Sequence, residues 1–243
     1  MNVLILPKAS INHTDGTAII TDVNQLTHIK TVLKADVGDT LKIGELGGYL
    51  GMGKIGRLDD ESCVLVDVLL NQPPPPKLGV TVILALPRPK VLRRLMLDMT
   101  AFGVNEIILI NSVRTDKSYW GSPLLARLDE FVLEGLQQGM DSMPPTIRLA
   151  KRFKPFVQDE LSQLMVGGRA VVFHPYAQMG FDGFLTKAQT LPKVVIIGAE
   201  GGFVPYEIEL LQSVGVRALT FGERILRTES AVSAVLGRWL VGI

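Results

Sequence analysis

Val194-Val195-Ile196-Ile197-Gly198-Ala199-Glu200-Gly201-Gly202-Phe203, with Phe221-Gly222-Glu223-Arg224-Ile225-Leu226-Arg227-Thr228-Glu229-Ser230-Ala231 behind it, decides how this chain reads. In the first stretch a β-branched apolar run collides with a glycine-rich acidic loop, and a helix follows. In the second, another apolar run ends in another glycine loop. Ligands of open α/β sheets settle at the carboxyl ends of strands. Glycines there let the backbone approach a ligand that a Cβ would hold off. The chemistry is expected at this pair of loops.

The same alternation extends outward. Residues 80–86, 106–110, 170–173, 194–197 and 217–221 read as strands. Residues 91–102, 124–138, 156–165, the segment opening at Pro205, and 228–240 read as helices. Gly103 closes the first helix in the left-handed conformation, and Pro205 sits in a first turn that tolerates its missing N–H. Strand and helix in alternation predict an α/β fold with a mainly parallel sheet covered on both faces.

Upstream, Asn71-Gln72-Pro73-Pro74-Pro75-Pro76-Lys77 interrupts the chain. Consecutive prolines lack donors and favour an extended linker, so a domain junction is expected between residues 1–72 and 73–243. The first part reads as strands at 3–6, 18–21, 41–45, 50–58 and 63–69, turned by Asp15-Gly16, Gly47-Gly48 and Asp59-Asp60. One helix interrupts them, capped by Asn24, with Leu26, Ile29, Val32 and Leu33 on one face. A small β-barrel with one helix follows.

Bulk properties narrow the class. At 243 residues, 47% hydrophobic and a mean hydropathy of +0.29, the chain can bury large cores and is not disordered. No apolar run approaches the ~20 residues needed to span a bilayer. Met1-Asn2-Val3-Leu4-Ile5-Leu6-Pro7-Lys8 lacks a basic lead and reads as a strand rather than a signal peptide. A lone Cys63 forbids an intrachain disulfide, and with His13, His28 and His174 it gives no zinc spacing, so no metal is expected. A reducing, cytoplasmic setting without membrane attachment is the default. The net charge of +1 requires any nucleic-acid partner to be met by a local patch. Cations do cluster: Arg88, Lys90, Arg93 and Arg94; Arg148, Lys151, Arg152 and Lys154; Arg224 and Arg227.

The loops match neither the dinucleotide fingerprint nor the phosphate-cradling Gly-Lys-Thr/Ser, and a tight strand-to-helix turn is their bland reading. Glu200 argues against a phosphate and for a ligand of positive or donor character. Thr228 reads as an N-cap and Glu229 as a favourable first-turn acid. Arg224 and Arg227 are not explained that way, because cations are disfavoured at a helix start; an anion, carboxylate or phosphate, would relieve them. His174 before Pro175 stands where a general base could sit, although a lone loop histidine is more often structural. Without a Gly-x-Ser-x-Gly elbow a hydrolase has little support. Tyr119-Trp120 could stack on a base or pack at the domain edge.

On Ile197-Gly198-Ala199-Glu200-Gly201-Gly202-Phe203, Glu207, and Gly222-Glu223-Arg224-Ile225-Leu226-Arg227-Thr228-Glu229-Ser230-Ala231, the chain resembles the RsmE family of the SPOUT superfamily. Members of that family are small-subunit ribosomal RNA uridine-N3 methyltransferases. His28-Ile29-Lys30-Thr31-Val32-Leu33-Lys34 with Gly38-Asp39 is a weaker match upstream. The resemblance implies a PUA-like barrel for residues 1–72 and a deep trefoil-knotted α/β methyltransferase domain for 73–243. It also implies a homodimer, ribosomal RNA as partner and S-adenosylmethionine as cofactor. Carried over by position, the cofactor contacts fall on Gly198, Glu200, Gly201, Gly202, Gly222, Ile225, Leu226 and Arg227. The reaction it implies is methyl transfer to uracil N3. Arg227, and after it Arg224, would stabilise the uracil anion, and Glu229 would accept the proton.

Three departures stand out. Asp98-Met99-Thr100-Ala101-Phe102-Gly103 replaces a family Lys-Ala-Thr-Glu-Leu-Gly, Asp141 replaces an arginine near the long helix's end, and Ala199 replaces the loop proline. The first two are expected near RNA or the active site. The competing readings are the same chemistry on another RNA or base, and a non-catalytic RNA-binding or ribosome-assembly protein. A nucleotide-dependent hydrolase or dehydrogenase is disfavoured, since neither a phosphate loop nor a metal cluster is visible.

Overall fold

A computed structural model describes residues 1–241. The chain divides into two compact units, Met1–Pro76 with Val132–Pro144, and Lys77–Phe131 with Pro145 onward.

The first unit holds β1 (Leu4–Leu6), β2 (Ile11–Asn12), β3 (Thr17–Ile20), β4 (Thr40–Glu45), β5 (Leu50–Leu58) and β6 (Cys63–Gln72). They form a six-stranded sheet in the order β1-β4-β5-β6-β3-β2, antiparallel except where β1 meets β4. The expected barrel is therefore an open sheet, with β1 and the two-residue β2 at its ends and no ladder joining them among the described residues. Leu4, Leu6, Ile20, Ile43, Ile55, Cys63 and Leu65 bury its inner face.

Helix α1 (residues 23–33) starts one position earlier than expected, because Asp22, not Asn24, caps it by accepting the Gln25 N–H at 2.9 Å. At His28 the helix widens into a π-helical stretch, His28–Leu33. The wider turn rotates Val32 and Leu33 to the surface, while Leu26 and Ile29 stay buried. The segment Val132–Pro144 closes this unit: Gln25 donates to the carbonyl of Ile5 and to Gln137 Oε1, at 2.9 and 3.0 Å.

The second unit is built on β7 (Thr81–Ala85), β8 (Glu106–Ile110), β9 (Thr146–Ala150), β10 (Ala170–Phe173), β11 (Met179–Gly180), β12 (Val194–Ile197) and β13 (Arg217–Thr220). Their order is β11-β13-β10-β12-β7-β8-β9, and every pairing is parallel. The helices are α2 (Pro89–Phe102), α3 (Leu128–Gly139), α4 (residues 153–164, π-helical over Phe156–Glu160), α5 (Phe181–Ala188), α6 (Pro205–Ser213) and α7 (Thr228–Val241). The long helix expected over 124–138 opens as a separate 3-10 turn, Pro123–Arg127, since Pro123 leads it. β9 and α5 had no counterpart in the sequence reading.

Alternate residues of the central strands bury both faces. Ile83, Ile108, Val172 and Ile196 meet Phe156, Leu161, Phe203, Ile208 and Leu211 on one side. Val82, Leu84, Ile107, Leu109, Val171 and Val195, pointing the other way, are equally inaccessible. Near-continuous apolar strands are what a parallel sheet covered twice requires. Being parallel, all the strands deliver their carboxyl ends, and the loops that follow, to one edge.

Candidate active site

At that edge β13, β10 and β12 lie side by side, and their loops enclose a cavity of about 650 Å³. The Gly198–Phe203 loop forms one wall and Arg224–Glu229 the opposite one, with His174–Tyr176, Arg88 and Arg114 completing the rim. The first loop doubles back tightly: a Cβ on Gly198 would stand 2.9 Å from the Cα of Gly202. The Gly202 N–H closes the turn on the Ala199 carbonyl at 2.8 Å, and Phe203 anchors the far limb in the core beside Phe153. At the second loop Gly222 takes φ +106°, a conformation for which only glycine is unstrained.

Two side chains lock the loops. Thr228 is buried, and its hydroxyl reaches the Gly198 carbonyl at 3.5 Å, joining one wall to the other. It does not cap α7 as expected. The first helical bond runs from the Ala231 N–H to the Arg227 carbonyl, so Arg227 is the cap position and Thr228 is already helical. Glu207 is 1% exposed and accepts the N–H groups of Val113 and Val204, at 2.8 and 2.9 Å. It thereby ties the loop after β8 to the start of α6.

The charges are paired across long stretches of chain. Arg88 Nε meets Glu200 Oε1 at 3.2 Å, so the loop acid already has a cation and does not await one from a ligand. Arg94 holds Glu229 Oε1 at 3.0 Å, and the Arg114 guanidinium donates to the Gly201 carbonyl. Arg224 and Arg227 form no ion pair among the described residues, which leaves the mouth cationic. Burial pushes the Asp98 carboxyl above its ordinary range; Arg94 pulls it back and Glu229 adds to the rise. Burial, then the Arg114 charge, lowers His174, so its imidazole is neutral at pH 7.

An aromatic wall backs the pocket. Phe173 and Phe221 stack with centroids 4.4 Å apart and planes 9° from parallel, Phe181 meets both edge-on, and Tyr176 stands edge-on to His174.

Of the residues singled out from sequence, Gly198, Glu200, Gly201, Gly202, Arg224, Ile225, Leu226, Arg227 and Glu229 line this one cavity. Gly222 shapes the turn behind it but is not in the lining. His174 lies in the wall. Asp141 is buried in the first unit, where it accepts the Met143 N–H at 2.9 Å, so its expected place beside the chemistry is corrected. Ala101 is likewise outside the lining. Sequence reasoning missed Arg88, Arg94 and Arg114 as members of the site. The first two were noted only as part of a basic cluster.

Residues 74–240 match the family model of the RNA methyltransferase domain. The chain belongs to that family. It is similar to the ribosomal RNA small subunit methyltransferase E of Treponema pallidum, 24% identical across 96% of this chain and 88% of that protein. The enzyme of the same name from Mycobacterium bovis is 24% identical across 91% of this chain and 86% of its own length. Among solved structures, a Neisseria gonorrhoeae ribosomal RNA small subunit methyltransferase E bound to S-adenosylmethionine superposes with a TM-score of 0.76. At 18% identity over 99% of this chain and 98% of that one, it speaks to the α/β fold. Among the described residues no helix is long and apolar enough to cross a membrane.

Proposed function

We propose that this RNA methyltransferase uses S-adenosylmethionine to methylate N3 of a uridine in 16S ribosomal RNA. The carrying observation is the cradle itself: two glycine loops at adjacent strand ends, joined through Thr228 and Gly198, around a cavity of nucleoside size. The residues suit that cofactor. Ile197, Leu219, Ile225 and Leu226 offer apolar surface to an adenine, and the close-approach glycines present backbone groups to its edge and to a ribose. When bound, the cofactor supplies a methyl group on a sulfonium, which departs as a neutral thioether.

The chain's own residues then handle the substrate. Uracil N3 must lose its proton to become nucleophilic. Glu229, oriented by Arg94, accepts that proton. Arg227, which has no carboxylate partner, stabilises the charge that spreads onto the uracil oxygens, and Arg224 holds the approaching phosphates. Neutral His174 leaves the rim open to an uncharged base.

In this reading residues 73–243 form the trefoil-knotted methyltransferase domain, and residues 1–72 form a PUA-like RNA-binding domain. The protein works as a homodimer in the cytoplasm. The test is methyl transfer at saturating cofactor by Arg227→Ala and Glu229→Ala, with base modifications mapped in a host lacking the protein. A loss of about 100-fold or more is expected in each variant, together with the disappearance of one 3-methyluridine. Full activity in both variants removes the mechanism. Cofactor binding without modification of any RNA favours the assembly-protein reading.

A further inference from the structure

Two features far apart in sequence, Tyr119-Trp120 and Lys151-Arg152-Phe153-Lys154, meet at the other end of the same sheet edge. Trp120 belongs to the 3-10 turn Lys117–Gly121, held at its start by Asp116, which accepts the Ser118 N–H at 2.8 Å. Its indole N–H donates to Asn111 Oδ1 at 2.8 Å, just beyond β8. The ring is therefore fixed by its polar edge and half-exposed. Lys151, leaving β9, carries its ammonium over that ring, 5.8 Å from the centroid.

Buried Phe153 turns its neighbours outward, so Arg152 and Lys154 are exposed beside Lys151, and Lys117 is exposed on the indole's own turn. None of these four cations is ion-paired among the described residues. Arg148, one strand position away in the same basic run, is by contrast neutralised by Glu106 and Glu160. The sheet runs β12-β7-β8-β9, all parallel. At about 4.8 Å per strand, this cluster stands roughly 14 Å along the edge from the end of β12, where the cradle begins.

Uncompensated cations alone would accept any anion. A rigid indole face among them asks for a flat partner as well, and single-stranded nucleic acid offers both, since bases stack on aromatic rings while cations track the backbone. An acidic protein surface would use the lysines and leave the ring idle. We propose that Trp120, Lys151, Arg152 and Lys154 form a subsite for nucleotides flanking the one to be methylated. The indole takes a base, Lys151 moves from the ring onto a phosphate, and Arg152 and Lys154 hold the next ones. The proposal rests on the reading that the protein methylates RNA, and not on which base or atom is modified.

The experiment compares the full-length protein with Trp120→Ala, Trp120→Phe and the double variant Lys151→Ala/Lys154→Ala. Binding of a single-stranded oligouridylate is followed by fluorescence anisotropy over a salt series. S-adenosylmethionine affinity, and kcat and KM on small-subunit ribosomal RNA, are measured in parallel. Trp120→Ala should weaken oligouridylate binding about 5- to 150-fold, and Trp120→Phe should restore most of it. The lysine double variant should lower the salt slope by about 2. KM for RNA should rise while kcat and cofactor affinity hold. Oligouridylate affinity and salt slope unchanged in the alanine variants overturn the subsite, as does a fall in kcat with KM unmoved. If the unmodified protein still binds cofactor and methylates RNA in that case, the proposed function stands. Failure of the unmodified protein to bind S-adenosylmethionine counts against the proposed function instead. Should Trp120→Ala fail to fold, the phenylalanine and lysine variants decide the matter.

Discussion

Replacing Gly198 with alanine tests the cradle at its tightest point. The new Cβ would lie 2.9 Å from the Cα of Gly202, 3.3 Å from its carbonyl carbon and 3.4 Å from the nitrogen of Phe203. All three are backbone atoms, so no side chain can swing away. Gly198 itself cannot retreat, because the preceding Ile197 is laddered to Phe173 on one side and to Leu84 on the other. The far limb must yield, against the Gly202–Ala199 hydrogen bond and the buried Phe203. Overpacking of this kind costs about 1–3 kcal/mol.

That cost has two outlets. If the loop keeps its shape, the strain remains in the folded protein and the melting temperature falls. If the loop opens, its backbone groups leave the cofactor, and affinity drops by up to about 150-fold for the same free energy. Calorimetric titration with S-adenosylmethionine and its demethylated product, alongside a thermal melt, reads both. The two losses together should amount to about 1–3 kcal/mol. Gly222→Ala is the control: it meets nothing within 4 Å, but its φ of +106° penalises any side chain. Its loss should appear in stability more than in affinity. A Gly198→Ala protein that melts and binds like the parent would refute the close-approach argument.

Three further outcomes follow from the same geometry. Glu207→Ala should cost about 2–4 kcal/mol in denaturant unfolding, because two N–H groups lose a charged acceptor, and Glu207→Gln should recover about half. Equal stability of all three proteins would remove Glu207 as the tie between its loops. Asp98 holds its proton more tightly when folded than when unfolded, so stability should fall as pH rises from about 3.8 through the raised value and stay lower above it. Asp98→Asn should lack that fall and melt higher near pH 7; a parallel pH profile for both proteins would contradict this. Cys63 is fully buried, and burial pushes its thiol up to about 11, so a thiol-reactive disulfide at pH 8 should label it only as fast as the protein unfolds.

What was legible in the sequence was local. Residues 106–110, 170–173 and 194–197 are apolar runs ended by Asn, His or Gly, and the strands occupy those same positions. The glycine loops were legible because a loop and the helix it enters are adjacent in the chain. β9 was not, since Arg148 sits in its middle and, as an edge strand, it is only partly buried. α5 was hidden by Gly180 and Gly183, which read as breakers over so short a helix. The closed barrel failed for a related reason: alternation predicts strands, but which edges meet depends on pairings between distant segments. Arg88, Arg94 and Arg114 reach partners 112, 135 and 87 residues away, beyond any spacing rule.

Those long-range pairs explain how a chain of net charge +1 can present a cationic mouth. Arg88, at the cap of α2, engages Glu200 of the first loop, and Arg94, farther along α2, engages Glu229 of the second. One helix thus clamps the acid of each loop. With both acids occupied, Arg224 and Arg227 face the cavity uncompensated, and the cations beyond β9 extend the same polarity along the sheet edge. Overall neutrality is kept by pairs such as Arg148 with Glu106 and Glu160. A polyanion would therefore be drawn to one edge rather than to the surface at large. Arg94→Ala should raise the repulsion felt by an approaching phosphate, because Glu229 would face the mouth without its counter-ion. Arg94→Lys keeps the charge and should keep the RNA affinity. Equal RNA affinity in the alanine and lysine variants at low salt would mean that the clamp sets only the position of Glu229, and not the field at the mouth.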